Sequence, residues 1–397
     1  MSNTEFSKAL KIGSVAVFSY LACYYMRHLL GVATPLMIAT GEYAKEFLGT
    51  LSSFYMIAYA VGQLINGTIG DRINPKYMVS IGLFVSGIAS IFFTIVESPL
   101  FQLFCFIVLG FSLSMLRGPL VKIISENTTE KHAQTCCVFF NFSSFVGPLI
   151  ASALAIIFEW KNIFVVAGLS VLFVSVAAFL VLTYLEKKNI ISSTRQNNDG
   201  KSSAFKNLVK VFSLENIGFY MFISGLVEIV AIAVNFWIPT YMNEYLHFSA
   251  DMSSVLFSVV STIVSFTPFI GLFVFRLFKN DEFKMIKCAF FVSFVLFVSL
   301  IFITNRYLNI IVFLLARIAV GCPSMVLWTI YIPSQAKTGL VSSVNGFLDF
   351  FGYAMTFVAN LMFTYSMKYI NWTGIILLWG TLMFVGFLGT LFKRKEA

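Results

Sequence analysis

Twelve predominantly apolar runs, roughly 12–38, 49–69, 77–96, 99–125, 136–157, 162–185, 216–242, 250–277, 285–304, 307–332, 340–366 and 371–392, make up most of this 397-residue chain. Each reaches the ~20 residues that a helix needs to cross the hydrocarbon core of a bilayer. A helix can lie in lipid because all its backbone hydrogen bonds are internal. Charged residues are only 11% of the chain, against about 25% in soluble domains. The expectation is an all-α membrane protein of twelve transmembrane helices, with nothing left over to build a soluble catalytic domain. The first run is too long for a signal-peptide core and reads as a retained helix.

The widest polar gap, 186–212, divides the runs six and six. This predicts an N-terminal six-helix bundle (1–185), a cytoplasmic linker (186–212) and a C-terminal six-helix bundle (213–397), related as two parallel repeats. Alternate loops hold twenty Lys and Arg residues, among them Lys8, Lys11, Arg72, Lys76, Lys122 and Lys393. The opposite loops hold four: Lys45, Lys161, Arg306 and Lys368. Basic loops stay inside, so both termini and the linker are expected to be cytoplasmic, with the chain in the plasma membrane. That distribution also accounts for the net charge of +9 without nucleic acid.

Between the second and third runs lies Gly67-Thr68-Ile69-Gly70-Asp71-Arg72-Ile73-Asn74-Pro75-Lys76. Two glycines three apart leave a helix face bare, so that another helix can approach closely. Pro75 bars continuation of the helix. Gly67, Asp71, Arg72 and Lys76 are therefore candidates for a latch between helix bundles; a solvated loop with a basic anchor is the plainer reading.

Five charged residues lie well inside apolar runs, away from the run ends: Arg27, Arg117, Arg317, Glu228 and Asp349. Each costs about 2.5–3.5 kcal/mol at a helix centre and must face a partner or a wet cavity. Tyr20, Tyr24 and Arg27 follow i, i+4, i+7 and form one helical stripe. A guanidinium beside phenols suits an anion whose oxygens accept its forked donors. Tyr59 and Gln63 repeat the i, i+4 spacing on the second helix. Glu228 and Asp349 are candidates for proton coupling, since burial raises a carboxyl pKa. They are equally candidates for permanent pairing with Arg117 or Arg317. Gly118-Pro119 and Pro268 are expected bends.

No enzyme emerges from the inventory. The six cysteines lack metal spacing and read as small buried hydrophobes. His28, His132 and His247 form no cluster with them, no phosphate-cradling glycine loop is present, and no cofactor or metal is expected.

Residues 20–95 resemble the organophosphate:phosphate antiporters of the major facilitator superfamily, on Tyr24-Tyr25-Met26-Arg27 with Pro35 beyond, on Ile57-Ala58-Tyr59, and on the Gly67–Lys76 loop. Further matches are Trp237-Ile238-Pro239-Thr240-Tyr241, Gly346-Phe347 and Phe351-Gly352-Tyr353. The resemblance implies that Arg27 is one of two arginines flanking a substrate phosphate, with Tyr20, Tyr24, Tyr59 and Tyr353 around the cavity. The departures are specific. The second family arginine falls on Ala231, a lysine on Gln63 and a histidine on Ser144, while Glu228 replaces a tyrosine. Arg117 stands where the family has an aromatic residue.

The expectation is a secondary transporter that moves a small organic anion, a phosphate ester or a carboxylate, by alternating access. Arg27 and Arg117 would grip the anion, at a site between the bundles near mid-membrane. Its partners would be that anion and inorganic phosphate or a proton as counter- or co-ion, with the protein acting as a monomer in the bilayer. The alternative is a membrane metabolite sensor of the same fold that signals without net transport.

Overall fold

The computed structural model describes residues 3–192, 204–366 and 369–391. Residues 193–203 of the expected linker, Lys368, and residues 393–395 of the charge count lie outside the described residues. So do the side chains of Pro35, Lys45 and Lys206.

Every regular element among the described residues is helical. In chain order these are α1 (Asn3–Ala39), α2 (Lys45–Gly70), α3 (Pro75–Ile95), α4 (Pro99–Leu113), α5 (Arg117–Asn127), α6 (Glu130–Ile157), α7 (Trp160–Lys187) and α8 (Ala204–Phe212). There follow α9 (Ile217–Glu228), α10 (Asn235–Glu244), α11 (Ala250–Ser265), α12 (Thr267–Leu277), α13 (Glu282–Ser299) and α14 (Arg306–Met325). The last are α15 (Ile332–Ser334), α16 (Val341–Ser366) and α17 (Trp372–Leu391).

Each expected span coincides with one helix or one interrupted helix. Seven described helices are long and apolar enough to cross a membrane, and nine if each bent pair is one span. Polar residues at the turns set the helix starts. The Asn74 side chain accepts from the Lys76 amide at 3.0 Å, Asp281 from Lys284 at 3.0 Å, and Asn305 from Tyr307 at 3.0 Å. These are amides that the first helical turn leaves without partners. Large apolar side chains face outward, Ile156 being 86% and Phe302 77% exposed, as lipid contact demands and water does not.

Of the two expected bends, the one at Pro268 is present, the fourth span is interrupted just before Gly118-Pro119, and a further bend of 52° in the seventh span, between Ile217–Ile232 and Trp237–Glu244, was not expected. The fourth span breaks at residues 114–116, and Pro119 sits in the first turn of α5. The eighth bends by 43° between α11 and α12, where Pro268 lies in the first turn. Two π-helical segments, Ile229–Val234 and Val326–Tyr331, had no forecast. Pro333 follows the second almost at once; a proline lacks the amide a regular turn requires, and a widened turn accommodates the loss.

The described chain divides into two compact units. Unit one holds residues 1–214 and 331–350, and its helices pack α1 on α6, α3 on α7 and α2 on α4. Unit two holds residues 215–330 and 351–397, with α13 packed on α14 and α17. Helix α16 thus belongs to unit one over its first turns and to unit two thereafter.

Candidate functional site

The helical spacing of Tyr20, Tyr24 and Arg27 builds the first wall in unit one. Tyr20 is buried, stacked on Phe140 of α6 with ring centroids 4.0 Å apart, and meets the edge of Tyr24 at 4.9 Å. That packing fixes the stripe and leaves Arg27 at its end. The Arg27 guanidinium lies over the Tyr59 ring of α2, 4.8 Å from the centroid. A cation over an aromatic face is attracted by the ring quadrupole and keeps its N–H edges for other acceptors.

The second wall follows from the break after α4. It restarts the helix at Arg117, whose Nη1 donates to Asp349 Oδ1 of α16 at 3.0 Å. Asn345, one turn earlier on α16, donates to Asp349 Oδ2 at 3.0 Å. Both carboxylate oxygens therefore accept, one from a guanidinium and one from an amide. Asp349 is almost fully buried; the Arg117 side chain keeps 11% of its surface. Arg117 lies within electrostatic reach of Tyr20, Tyr24 and Tyr59, and Asp349 within reach of both Arg117 and Arg27. Two arginines, three tyrosines and one carboxylate from four helices thus form one cluster. Gln63, one turn from Tyr59, is buried, and its Nε2 has no hydrogen-bond partner among the described residues.

Toward the end of α2 a second set of contacts holds the start of α16. Asp71 Oδ1 accepts from the Ser342 amide and Oδ2 from the Ser343 amide, each at 2.8 Å. A carboxylate from one helix end thereby caps the N-terminus of another, where amides are unpaired and the helix dipole is positive. Lys122, itself buried, caps in the opposite sense: its Nζ donates to the Asp71 carbonyl at 2.8 Å and the Gly70 carbonyl at 3.3 Å. Burial pushes the Asp71 pKa up to about 6, against the lowering pull of its Ser343 contacts and of the Lys122 ammonium. Glycine permits this approach. A Cβ at Gly67 would stand 2.8 Å from the Ser342 carbonyl, and one at Gly118 would stand 3.2 Å from the Ser342 Cα.

Of the other latch candidates, Lys76 is held by α7 rather than α16. Lys76 pairs with Glu186 at the end of α7, which also accepts from Asn74 Nδ2 at 2.7 Å. Arg72 is exposed.

Unit two holds the remaining candidates. Glu228 ends α9 at the start of the first π segment, and its side chain lies against Gly352, beside Tyr353. Arg317, buried on α14, donates to the Val230 carbonyl inside that π segment. Of the pairings left open for the two acids, Asp349 with Arg117 is formed. Sequence reasoning missed the roles of Asn345, Lys122 and the Ser342 and Ser343 amides. Only the Asn345–Asp349 spacing of four carried a signal.

Among the described residues no group of three or more His, Cys, Asp or Glu side chains is placed to hold a metal ion.

Residues 16–360 match the family model of the Major Facilitator Superfamily. The glycerol-3-phosphate transporter of Bacillus subtilis (strain 168) is 24% identical over 410 aligned residues, covering 95% of this chain and 91% of the relative. The membrane sensor protein UhpC of Escherichia coli (strain K12) is 24% identical over 57% of this chain and 55% of its own. Among solved structures, the proton:xylose symporter XylE superposes with a TM-score of 0.73 at 13% identity, covering 98% of this chain and 95% of XylE.

Proposed function

Since the chain belongs to the major facilitator superfamily, we propose that it is a secondary transporter of a small organic anion, a phosphate ester or a carboxylate, working by alternating access. The observation that carries this reading is the cluster in unit one, with Arg27 and Arg117 set among Tyr20, Tyr24 and Tyr59. Guanidinium groups supply paired donors to an anion's oxygens. The phenols, with Gln63 and Tyr353, read the rest of the molecule. The similarity to a glycerol-3-phosphate transporter over nearly the whole chain supports an anionic substrate.

Alternating access needs a device that holds one arrangement and releases it. Asp71 capping the start of α16, with Gly67 beneath and Lys122 across, suits that task. Arg72 and Lys76 belong to the same loop; Lys76 steadies it against α7. The moving halves are residues 1–185 and 213–397, joined by the linker 186–212. Asp349, held on both oxygens, offsets the charge of Arg117. Glu228, whose side chain lies against Gly352, and Asp349 are the candidates for a proton site, and inorganic phosphate is the counter-ion to be tried first. The protein works as a monomer in the plasma membrane with both termini cytoplasmic, as its loop charges indicate.

Exchange of labelled phosphate or organic anion in proteoliposomes tests the reading. Arg27→Ala is expected to abolish exchange, and undiminished exchange would refute the site. The similarity to UhpC favours one other reading, a sensor without net transport. Flux in liposomes that contain only this protein excludes it.

A further inference from the structure

Taking the transport reading as its premise, the charge inventory of the cluster narrows the substrate class. Arg27 and Arg117 bring two positive charges. Asp349, whose two oxygens accept from Arg117 and Asn345, returns one negative charge. Lys122 and Asp71, the next charges along the same helices, lie beside each other and offset one another. The cluster therefore carries a single net positive charge. A dianion entering it would leave one negative charge unmatched in surroundings with little water, which is costly; a monoanion would be matched.

The neutral donors add a second requirement. The Gln63 amide is 1% exposed, and its Nε2 has no hydrogen-bond partner among the described residues. It shares a helix face with Tyr59, whose ring carries Arg27. A buried amide donor left without an acceptor calls for one from the substrate, which a hydroxyl can supply, and the phenols of Tyr20, Tyr24 and Tyr59 add further neutral donors and acceptors. We infer that the substrate is a polyhydroxylated monoanion, a sugar monocarboxylate rather than a dianionic phosphate ester, with Asp349 setting the charge it must carry and Gln63 reading a hydroxyl.

Counterflow in proteoliposomes containing the full chain separates the possibilities. Labelled gluconate is the probe; glucarate (the same carbon skeleton with a second carboxylate), glucose 6-phosphate and hexanoate (which lacks the hydroxyls) are competitors. Wild type is expected to favour gluconate over each by about tenfold or more. Asp349→Asn raises the cluster by one charge and is expected to shift preference toward glucarate and glucose 6-phosphate by about tenfold. The double variant Arg117→Gln with Asp349→Asn restores the single positive charge and is expected to restore the preference for gluconate. A merely structural role for the ion pair would lower all rates together without moving this ratio.

A preference for glucose 6-phosphate in wild type, dependent on Arg27, overturns the charge inference and leaves the transport reading standing. So does a ratio unmoved by Asp349→Asn. Equal competition by hexanoate overturns the role given to Gln63. If none of the probes is exchanged in an Arg27-dependent way, the transport reading falls and this inference falls with it.

Discussion

Arg117 and Arg317 pose the same problem in the sequence, a guanidinium inside an apolar span, and the two units solve it differently. Arg117 opens a helix immediately after a break and meets a carboxylate, with three tyrosines in reach. Arg317 lies within a regular helix and donates to a backbone carbonyl in a π-helical turn. Both arrangements offset the cost of the charge. They differ in what can be exchanged. An anion from outside can take the place of a carboxylate beside a guanidinium, whereas a backbone carbonyl stays where the helix puts it. A buried charge thus announces that a partner exists, and the chemistry of the partner decides between a working group and a structural one.

Of the changes that separate the two arginines, Arg117→Ala is expected to have the largest effect. It strands Asp349 without its cation, and loss of one member of a buried pair costs about 3–5 kcal/mol. The double variant Arg117→Ala with Asp349→Ala removes the stranded charge and should recover a large part of that loss. Thermal unfolding of the purified protein in detergent measures both. If the losses of Arg117→Ala and of Asp349→Ala simply add in the double variant, the two residues are not a coupled pair.

Arg317→Met is the matching change in unit two. It leaves the Val230 carbonyl without this donor, at a cost of about 1–3 kcal/mol. Thermal stability should fall while the KM for the transported anion stays at the wild-type value. Arg117→Met, by contrast, should raise KM. Equal KM shifts in the two variants would dissolve the distinction between a working and a structural arginine.

The difference between these arginines was not legible in the sequence, although much else was. Run length and charge placed the helical spans, and the i, i+4, i+7 stripe placed Tyr20, Tyr24 and Arg27 together, because helical periodicity is a local property. The glycines at 67 and 70 announced a close approach for the same reason. Partners across long sequence separations were beyond reach. Asp349 lies 232 residues from Arg117, and no local pattern distinguishes Arg117 from Arg317 as its partner. The π-helical segment that occupies Arg317 depends on packing rather than on composition. Capping of α16 by Asp71 was hidden for another reason: the donors are backbone amides, which carry no sequence signature.

Asp71 supplies a smaller and pH-dependent effect. Its folded pKa, about 6, stands above the ordinary value of 3.8, so the folded state favours the protonated form. Stability from this group is fully present below pH ~4 and is lost as pH rises through about 6. A carboxylate at neutral pH thus caps α16 while standing to gain from release into water, which suits a contact that must open. The stability of wild type relative to Asp71→Asn should therefore fall by on the order of 1–2 kcal/mol between pH 4 and pH 7, after allowance for partial exposure. A difference that stays flat across that range would show that burial does not govern the carboxyl.

Lys76 sets the lower end of the scale. It too forms an ion pair, with Glu186, but its side chain is 14% exposed and that of Glu186 18%, against 2% for Asp349. Water solvates either partner once the other is removed, so the stranded group costs little. Asn74 remains as a donor to Glu186 at 2.7 Å. Lys76→Ala should cost less than about 1 kcal/mol and leave the affinity for the anion unchanged. Raising the salt concentration should weaken the wild-type pair while leaving Arg117 and Asp349 almost untouched, since screening acts on the wetter pair. A loss comparable to that of Arg117→Ala would mean that depth from water does not rank these two pairs. The contrast between the Lys76 loop pair and the pair proposed to meet the substrate would then rest on the tyrosines around Arg117 alone.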